Sequence, residues 1–491
     1  MPLLHDIFHS ITSSSLLGRL SLARPRSCDE FLRRLLTVSS LCFVLSGLSS
    51  CCYISGYRTP EHITRWQVVD PPRLSLVEKG AQYQEGIEQF FQTSEGLLQY
   101  RRRTDDTDNP SYGNLADGCF HSGMYLASQA LRYATTADPG AREQIILTLE
   151  GLRLLSEVSG KHGLLARHYS PAGTVTGDPR WLPSPTHPAY EWRSDVSKDQ
   201  YAGYIHGLGV TAALVEDPEI RATVAELSAA VADHLIENDL RIVDSDGEPT
   251  TFGDLDGRFL GMVPIGVNAL VTLAIAKVAA VTNDDPRYTS FHADLVASGY
   301  ADLSYWAHVS LLGFYKRVND HMGYLALVPL LLLEKDPKIV AALRRGERRS
   351  WSHMSHEHNA FFAFVHAALV GEVQDGDDGL QASSVVAPQT VVRHGLEALR
   401  QFPENKVQWP IDLTREGFDF SYAWIRGDHC APKSTRPVPL YLRSRSSNFW
   451  GSDPYRLVAN LQGDGNVDSS GQDYLLAYWL GRYYQFVSPN D

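Results

Sequence analysis

With 491 residues, 43% of them hydrophobic and 10% aromatic, the chain has ample material for a core and too little charge for wholesale disorder. Its 57 acidic against 44 basic residues give a formal charge of −13. That balance argues against a dedicated nucleic-acid binder, which presents a strong basic face.

The N-terminus reads as a targeting segment. Arg33 and Arg34 precede an apolar stretch over 35–48 that runs into Leu48-Ser49-Ser50-Cys51. A basic start, a short apolar segment and small residues before the cut make a signal peptide. The stretch is shorter than the roughly 20 apolar residues a spanning helix needs. Leu-Ser-Ser-Cys resembles the lipobox of bacterial lipoproteins. The resemblance implies that Cys51 becomes the acylated first residue, that residues 1–50 are removed, and that the protein is lipid-anchored in the cell envelope, at the outer membrane or cell surface rather than free in the periplasm. A plain signal peptide with a chance cysteine is the alternative. Residues 1–26 are a long prelude, and the Arg pair faintly resembles a twin-arginine signal. Of the six cysteines, Cys28 and Cys42 leave with the signal, so only Cys52, Cys119 and Cys430 remain beside Cys51. That is no disulfide framework. Cys119, in an apolar helical pattern, is expected to be a small buried hydrophobe.

Residues 53–76 are polar and carry Pro60, Pro71 and Pro72, as a tether would. The expected organisation is a signal over 1–50, a tether over 51–78 and one domain over 79–491. Helices are predicted over 117–137 and 141–158, turned by Asp138-Pro139-Gly140. A proline-rich loop over 160–195 follows. Further helices are predicted over 197–214, 218–237, 256–281, 286–303, 305–334 (as one helix or two meeting near Asn319), 337–346, 355–370, 391–401 and 473–486. Residues 402–471 read as strand and loop, with a strand over 438–442. The helices fall into antiparallel pairs without a shared consensus, so no simple solenoid is indicated. The expected fold class is all-α, an (α/α)6-type toroid of helical hairpins with a small strand-and-loop segment near the C-terminus; an open array competes. Closure is favoured because the last helix, with Tyr474, Leu475, Leu476, Tyr478, Trp479, Leu480, Tyr483 and Tyr484, is apolar nearly all round and needs partners on two sides.

In such a ring, polar clusters at helix starts are the candidate chemistry. Asp117 opens a helix and His121 follows four residues on, hence on the same face; an N-cap is the plainer reading of Asp117. Glu191-Trp192-Arg193-Ser194-Asp195, with Asp199, Gln200, Tyr204 and His206 behind it, sets acids and aromatics at one helix mouth, more than a cap requires. His353, His356, Glu357, His358 and Asn359 suggest zinc. The spacing is not His-Glu-x-x-His and no further ligand is identifiable, so no metal and no cofactor is expected. A hydrogen-bonding cluster touching substrate hydroxyls is preferred there. Arg445, Asn448 and Trp450 interleave as in a sugar site. Asp464, Asn466 and Asp468 alternate like part of a calcium loop but lack the glycine and terminal acid of an EF-hand, so they read as a polar turn.

The Asp117-Gly-x-x-His121 segment, the 192–200 segment and Asp473-Tyr-Leu-Leu-Ala-Tyr-Trp-Leu-Gly-Arg482-Tyr-Tyr together resemble bacterial surface proteins whose layout is similar to six-hairpin glycosidases, the unsaturated glucuronyl hydrolases among them. The likeness spans most of the chain after Gln82. It is one of layout, reproduces no complete catalytic signature and carries over no catalytic residue.

The function expected is an envelope-anchored glycoside hydrolase acting on a poly- or oligosaccharide through Asp117, Asp195 and Asp199, with Asp117 or Asp199 as the acid. Expected substrate contacts are His121, Trp192, Tyr204, His206, Arg258, His356, Glu357, Asn359, Arg445, Asn448 and Trp450. One alternative is a polysaccharide lyase on the same ring, with Tyr204, His206 or His356 as base and Arg258 or Asn359 neutralising a uronate. The other is a non-catalytic glycan-binding lipoprotein. Expected partners are a glycan and, through the anchor, a membrane; the oligomeric state is left open.

Overall fold

The computed structural model describes residues 70–103, 116–175, 177–259, 261–308, 317–371, 388–409, 420–422, 432–443, 448–456 and 465–491. The signal segment, Cys51, Asp464 and Arg445 lie outside the described residues.

Four outer helices begin alike. α3 (Pro139–Glu157), α5 (Pro218–Glu237), α7 (Pro286–Ala297) and α9 (Pro337–Met354) each follow an Asp whose carboxylate accepts the backbone N–H two residues on, at 2.8–3.0 Å. Aspartate caps an orphan amide, and proline at the first helical position has no N–H to orphan. Only two or three residues therefore separate each from the inner helix before it: α2 (Gly118–Thr136), α4 (Lys198–Leu214), α6 (Gly266–Thr282) and α8 (Arg317–Leu333). So short a link makes the pair antiparallel. α10 (Ala360–Val365, continued by a π turn over His366–Val370), α11 (Gln389–Gln401), α12 (Gln472–Tyr483) and the first helix, α1 (Leu76–Gly86), complete the set.

The even-numbered helices close a ring: α2 packs on α4, α4 on α6, α6 on α8, α8 on α10, α10 on α12, and α12 back on α2. The protein is an all-α (α/α)6 toroid. In α4 every residue from Gln200 to Thr211 is buried, and in α2 every residue from Gly118 to Leu131. A helix buried all round has no polar stripe, which is why the inner helices look uniformly apolar and the outer ones amphipathic. The first and last segments seal the ring: the Tyr474 hydroxyl donates to Leu76 O at 2.8 Å and Val77 N–H to Asp491 O at 3.1 Å.

The ring is narrow. α2 and α4 cross backbone to backbone, and a Cβ on Gly123 would lie 2.0 Å from Gly203 O. α8 also reaches α4 across the axis. There Pro329, inside α8, leaves the Leu325 carbonyl without its usual helical donor. His206 Nδ1 donates to that carbonyl at 2.8 Å.

A strap over 402–409 and 465–471 covers the start of α12. Lys406 Nζ reaches both oxygens of Asp473 at 2.8 Å, and both side chains are fully buried. β2 (Val467–Ser469) pairs antiparallel with β1 (Arg101–Arg103), placing Arg101 opposite Ser469 and Arg102 opposite Asp468.

The departures from sequence expectation have local causes. α1 starts at Leu76 with a capping box between Ser75 and Glu78, so residues assigned to the tether belong to the ring. The span 256–265 is a hairpin of two-residue strands (Arg258–Phe259 and Val263–Pro264), turned at Gly261 with φ 68°. α7 stops at Ala297, before Gly299 with φ 82°. α9 runs eight residues past Gly346; that glycine is a packing device, since a Cβ there would lie 2.4 Å from Ser304 Oγ. The chain then turns at His358 (φ 53°), and α10 begins after Asn359. The expected strand over 438–442 is a 3-10 turn at Leu440–Leu442, and the 160–195 loop holds a three-stranded sheet with Tyr190–Arg193 in its centre.

Candidate active site

The four Asp-Pro links join inner-helix C-termini to outer-helix N-termini at one end of the ring, so the N-termini of α2, α4, α6 and α8 lie at the other, which forms the mouth. Asp117 and Asp199 stand there, at the starts of the adjacent helices α2 and α4.

Asp117 does not cap its own helix. Its Oδ1 accepts from Arg167 Nη2 at 3.1 Å and from Gln200 Nε2 at 3.0 Å. The side chain remains 35% exposed. Gln200 Oε1 in turn accepts Phe120 N–H at 3.0 Å, tying the two helix starts together. Arg167 is fixed at three points, donating also to Ala116 O at 2.8 Å and Asp195 O at 3.1 Å. Burial raises the Asp117 pKa above the ordinary carboxylate range, and the charge of Asp199 raises it further, against the Arg167 guanidinium. Asp199 Oδ1 accepts the Ser197 hydroxyl and Gln200 N–H. Its Oδ2 makes no hydrogen bond among the described residues. Lys198 Nζ reaches Asn268 Oδ1 on α6 at 2.8 Å.

Of the three acids expected to act, Asp195 is engaged elsewhere. It sits at φ 54°, its N–H donates to Asp244 Oδ2 at 2.8 Å, and its own Oδ1 accepts Thr251 N–H at 2.9 Å. Asp195 pins a neighbouring hairpin.

Most expected substrate contacts turn out to be packing. His121 is buried, stacked on Tyr100 at 4.2 Å, with Gln472 Nε2 donating to its Nδ1 at 2.5 Å; burial holds its pKa well below the ordinary value, so the ring is neutral. Trp192, on the central strand of its sheet, is 1% exposed. Tyr204 and His206 lie in the core. Arg258 donates to Ser298 O and lies over the Tyr300 ring. Glu357 is buried in an ion pair with Arg317, which also binds Asp320 at 2.5 Å. Asn359 caps α10 and donates to Trp450 O at 3.0 Å. Trp450 is fully buried, its indole N–H on Asp473 O at 2.7 Å. Asn448, half-buried, donates to His321 Nδ1 at 2.9 Å. His356 is exposed 6.3 Å from the Tyr455 ring, while His353 stacks on His308 at 4.9 Å. The base and cation set of the lyase reading is thus dispersed through core and surface. Cys119 is buried and unbridged, as its pattern predicted.

The residues that organise the carboxylate pair, Arg167 and Tyr100 above all, were missed because they sit in loops without periodicity. Tyr100 accepts Ala116 N–H at 3.1 Å beside Asp117.

No protein family and no curated protein matches the chain. Among solved structures it is similar to the GH76A alpha-1,6-mannanase from Salegentibacter sp., at 10% identity and TM-score 0.42 over 84% of this chain and 99% of that one. It is also similar to a GH76 alpha-mannanase from Bacteroides thetaiotaomicron (8% identity, TM-score 0.43, 84% and 96% covered). A third similar structure is the Lin0763 protein from Listeria innocua (10%, 0.43, 84% and 97%). At these values the likeness is one of outline and transfers no substrate.

Proposed function

We propose that the protein is a glycoside hydrolase in which Asp117 is the general acid and Asp199 the second carboxylate. One observation carries the reading: two carboxylates stand at the starts of adjacent inner helices, both bonded to Gln200, and Asp117, raised by burial and then by the charge of Asp199, keeps a side chain 35% exposed. Cleaving a glycosidic bond needs a protonated acid with a second carboxylate beside it. Asp117 gives its proton to the departing oxygen as the C–O bond breaks. Asp199, through Oδ2, takes a proton from the water that attacks the sugar carbon. Arg167 and Gln200 hold the Asp117 carboxyl in place.

The first test is release of reducing ends from soluble polysaccharides without near-ultraviolet absorbance. A product absorbing at a new double bond would make the enzyme a lyase and overturn the assignment. The second test is a pH profile. Activity should fall as pH rises through the Asp117 pKa, because the acid must carry its proton. Arg167→Gln removes a charge that lowers that pKa, so this alkaline limb should move to higher pH, whereas Arg167→Lys should leave it nearer the parent. An unmoved limb in Arg167→Gln would show that Asp117 is not the titrating acid.

We also propose, from the Leu48–Cys51 segment alone, that Cys51 carries a lipid anchor. Cys51→Ser should move the protein from the membrane fraction to the soluble one on detergent partitioning; unchanged partitioning rejects the anchor.

A further inference from the structure

Beside the mouth stands a pair of aromatics that the catalytic reading does not use. Tyr305 and Trp306, in the turn that follows Leu303, are 37% and 44% exposed. Their rings meet edge to face at 5.5 Å. The Arg349 guanidinium lies over both, 4.8 Å from the Tyr305 centroid and 5.3 Å from that of Trp306. Its Nη1 donates to Tyr305 O at 2.8 Å and His308 O at 2.7 Å. The rings are therefore locked to the scaffold and to each other while still meeting solvent. Exposed aromatics are ordinarily mobile or scattered; a fixed, exposed pair is a binding surface already ordered before its ligand arrives.

Its place connects it to the carboxylates. A Cβ on Gly266, the first residue of α6, would lie 2.3 Å from Ala307 N and 2.5 Å from the Trp306 carbonyl carbon. Two residues on, Asn268 receives Lys198 of α4, next to Asp199. The platform thus abuts the second inner-helix start along the rim from Asp117, about 16–20 Å away at ordinary helix spacing. That is a span of several sugar units.

We infer that Tyr305 and Trp306, braced by Arg349, bind a pyranose ring of a neutral glycan whose chain continues into the mouth. This rests on the glycosidase reading and adds to it the substrate class: a polymer rather than a small glycoside. The C–H face of a pyranose meets the negative face of an aromatic ring, the same face that attracts cations. Arg349 Nε and Nη2 make no hydrogen bond among the described residues and are donors for hydroxyl groups. The formal charge of −13 disfavours a polyanionic chain.

The test is affinity electrophoresis of Asp117→Asn protein, which cannot degrade the matrix, in gels containing galactomannan, xyloglucan, arabinoxylan or polygalacturonate. At least one neutral polysaccharide should retard it, and adding Trp306→Ala should weaken that binding about five-fold or more. Equal retardation with and without Trp306, retardation by polygalacturonate alone, or none in any gel overturns the inference. Trp306-dependent capture by phosphatidylcholine vesicles with unchanged glycan retardation does so too, by assigning the platform to a lipid surface. Absence of hydrolysis by the parent protein alongside Trp306-dependent retardation would remove the glycosidase reading and leave the platform standing.

Discussion

Asp117→Asn should lower turnover about a thousand-fold and, at neutral pH, raise the thermal midpoint. Both effects come from one property of the site. In the folded protein the Asp117 carboxyl is pushed up by burial and by Asp199, whereas in the unfolded chain it titrates near 3.9. The folded state therefore prefers the protonated form. That preference contributes stability below the unfolded pKa, and it is lost as pH rises through the folded one. Asparagine is neutral at every pH and its Oδ1 can accept the same Arg167 and Gln200 donors, so it avoids the loss. Melting curves of the two proteins should accordingly be furthest apart near neutrality and approach each other as pH falls toward the carboxylate range. A variant with full turnover would remove Asp117 from the chemistry. A variant that is inactive and less stable at neutral pH would make Asp117 a structural residue.

The largest expected loss of stability lies at the buried pair of Lys406 and Asp473. Lys406→Met should destabilise the fold by about 3–5 kcal/mol, because it strands a carboxylate with no access to water. Asp473 keeps the Phe449 and Tyr474 amides as donors, at 2.8 and 3.1 Å. Burial already raises its pKa, and Lys406 is the main opposing influence. Without the ammonium the carboxyl is driven further up, so the destabilisation should deepen as pH rises. Lys406→Met combined with Asp473→Leu should recover part of the loss in urea unfolding; simple additivity would show that the pair is not coupled.

Much of the ring was legible because its physics is local. Asp138, Asp217, Asp285 and Asp336 each precede a proline, and each starts an outer helix within two or three residues of the preceding inner one. Four repeats of that device announce hairpins even without sequence identity between them. The chemistry was only half legible. Asp117 and Asp199 were visible as acids at helix starts. Tyr204 and His206 come five and seven residues after Asp199, about 8–10 Å further down the helix, and so fall in the core rather than the mouth. Position along the helix axis mattered more than proximity in the chain. His206 had a further reason for burial that no window around it contains, since the carbonyl it serves is freed by Pro329 on another helix. The chemical type of Glu357 and Trp450 points to sugar contacts. Their true partners, Arg317 and the Asp473 backbone, lie 40 and 23 residues away.

Because α12 is an inner helix with α2 on one side and α10 on the other, and because Leu76 and Val77 bond to Tyr474 and Asp491, the fold has no N-terminal half that is finished before the C-terminal half exists. A ribosome releases such a chain with its central helices hydrophobic on every side and one neighbour still missing. Contacts spanning nearly 400 residues form last and slowly. The polypeptide should therefore stay open, susceptible to proteases and in need of a holding chaperone until its final two dozen residues emerge, and then close in a single late step.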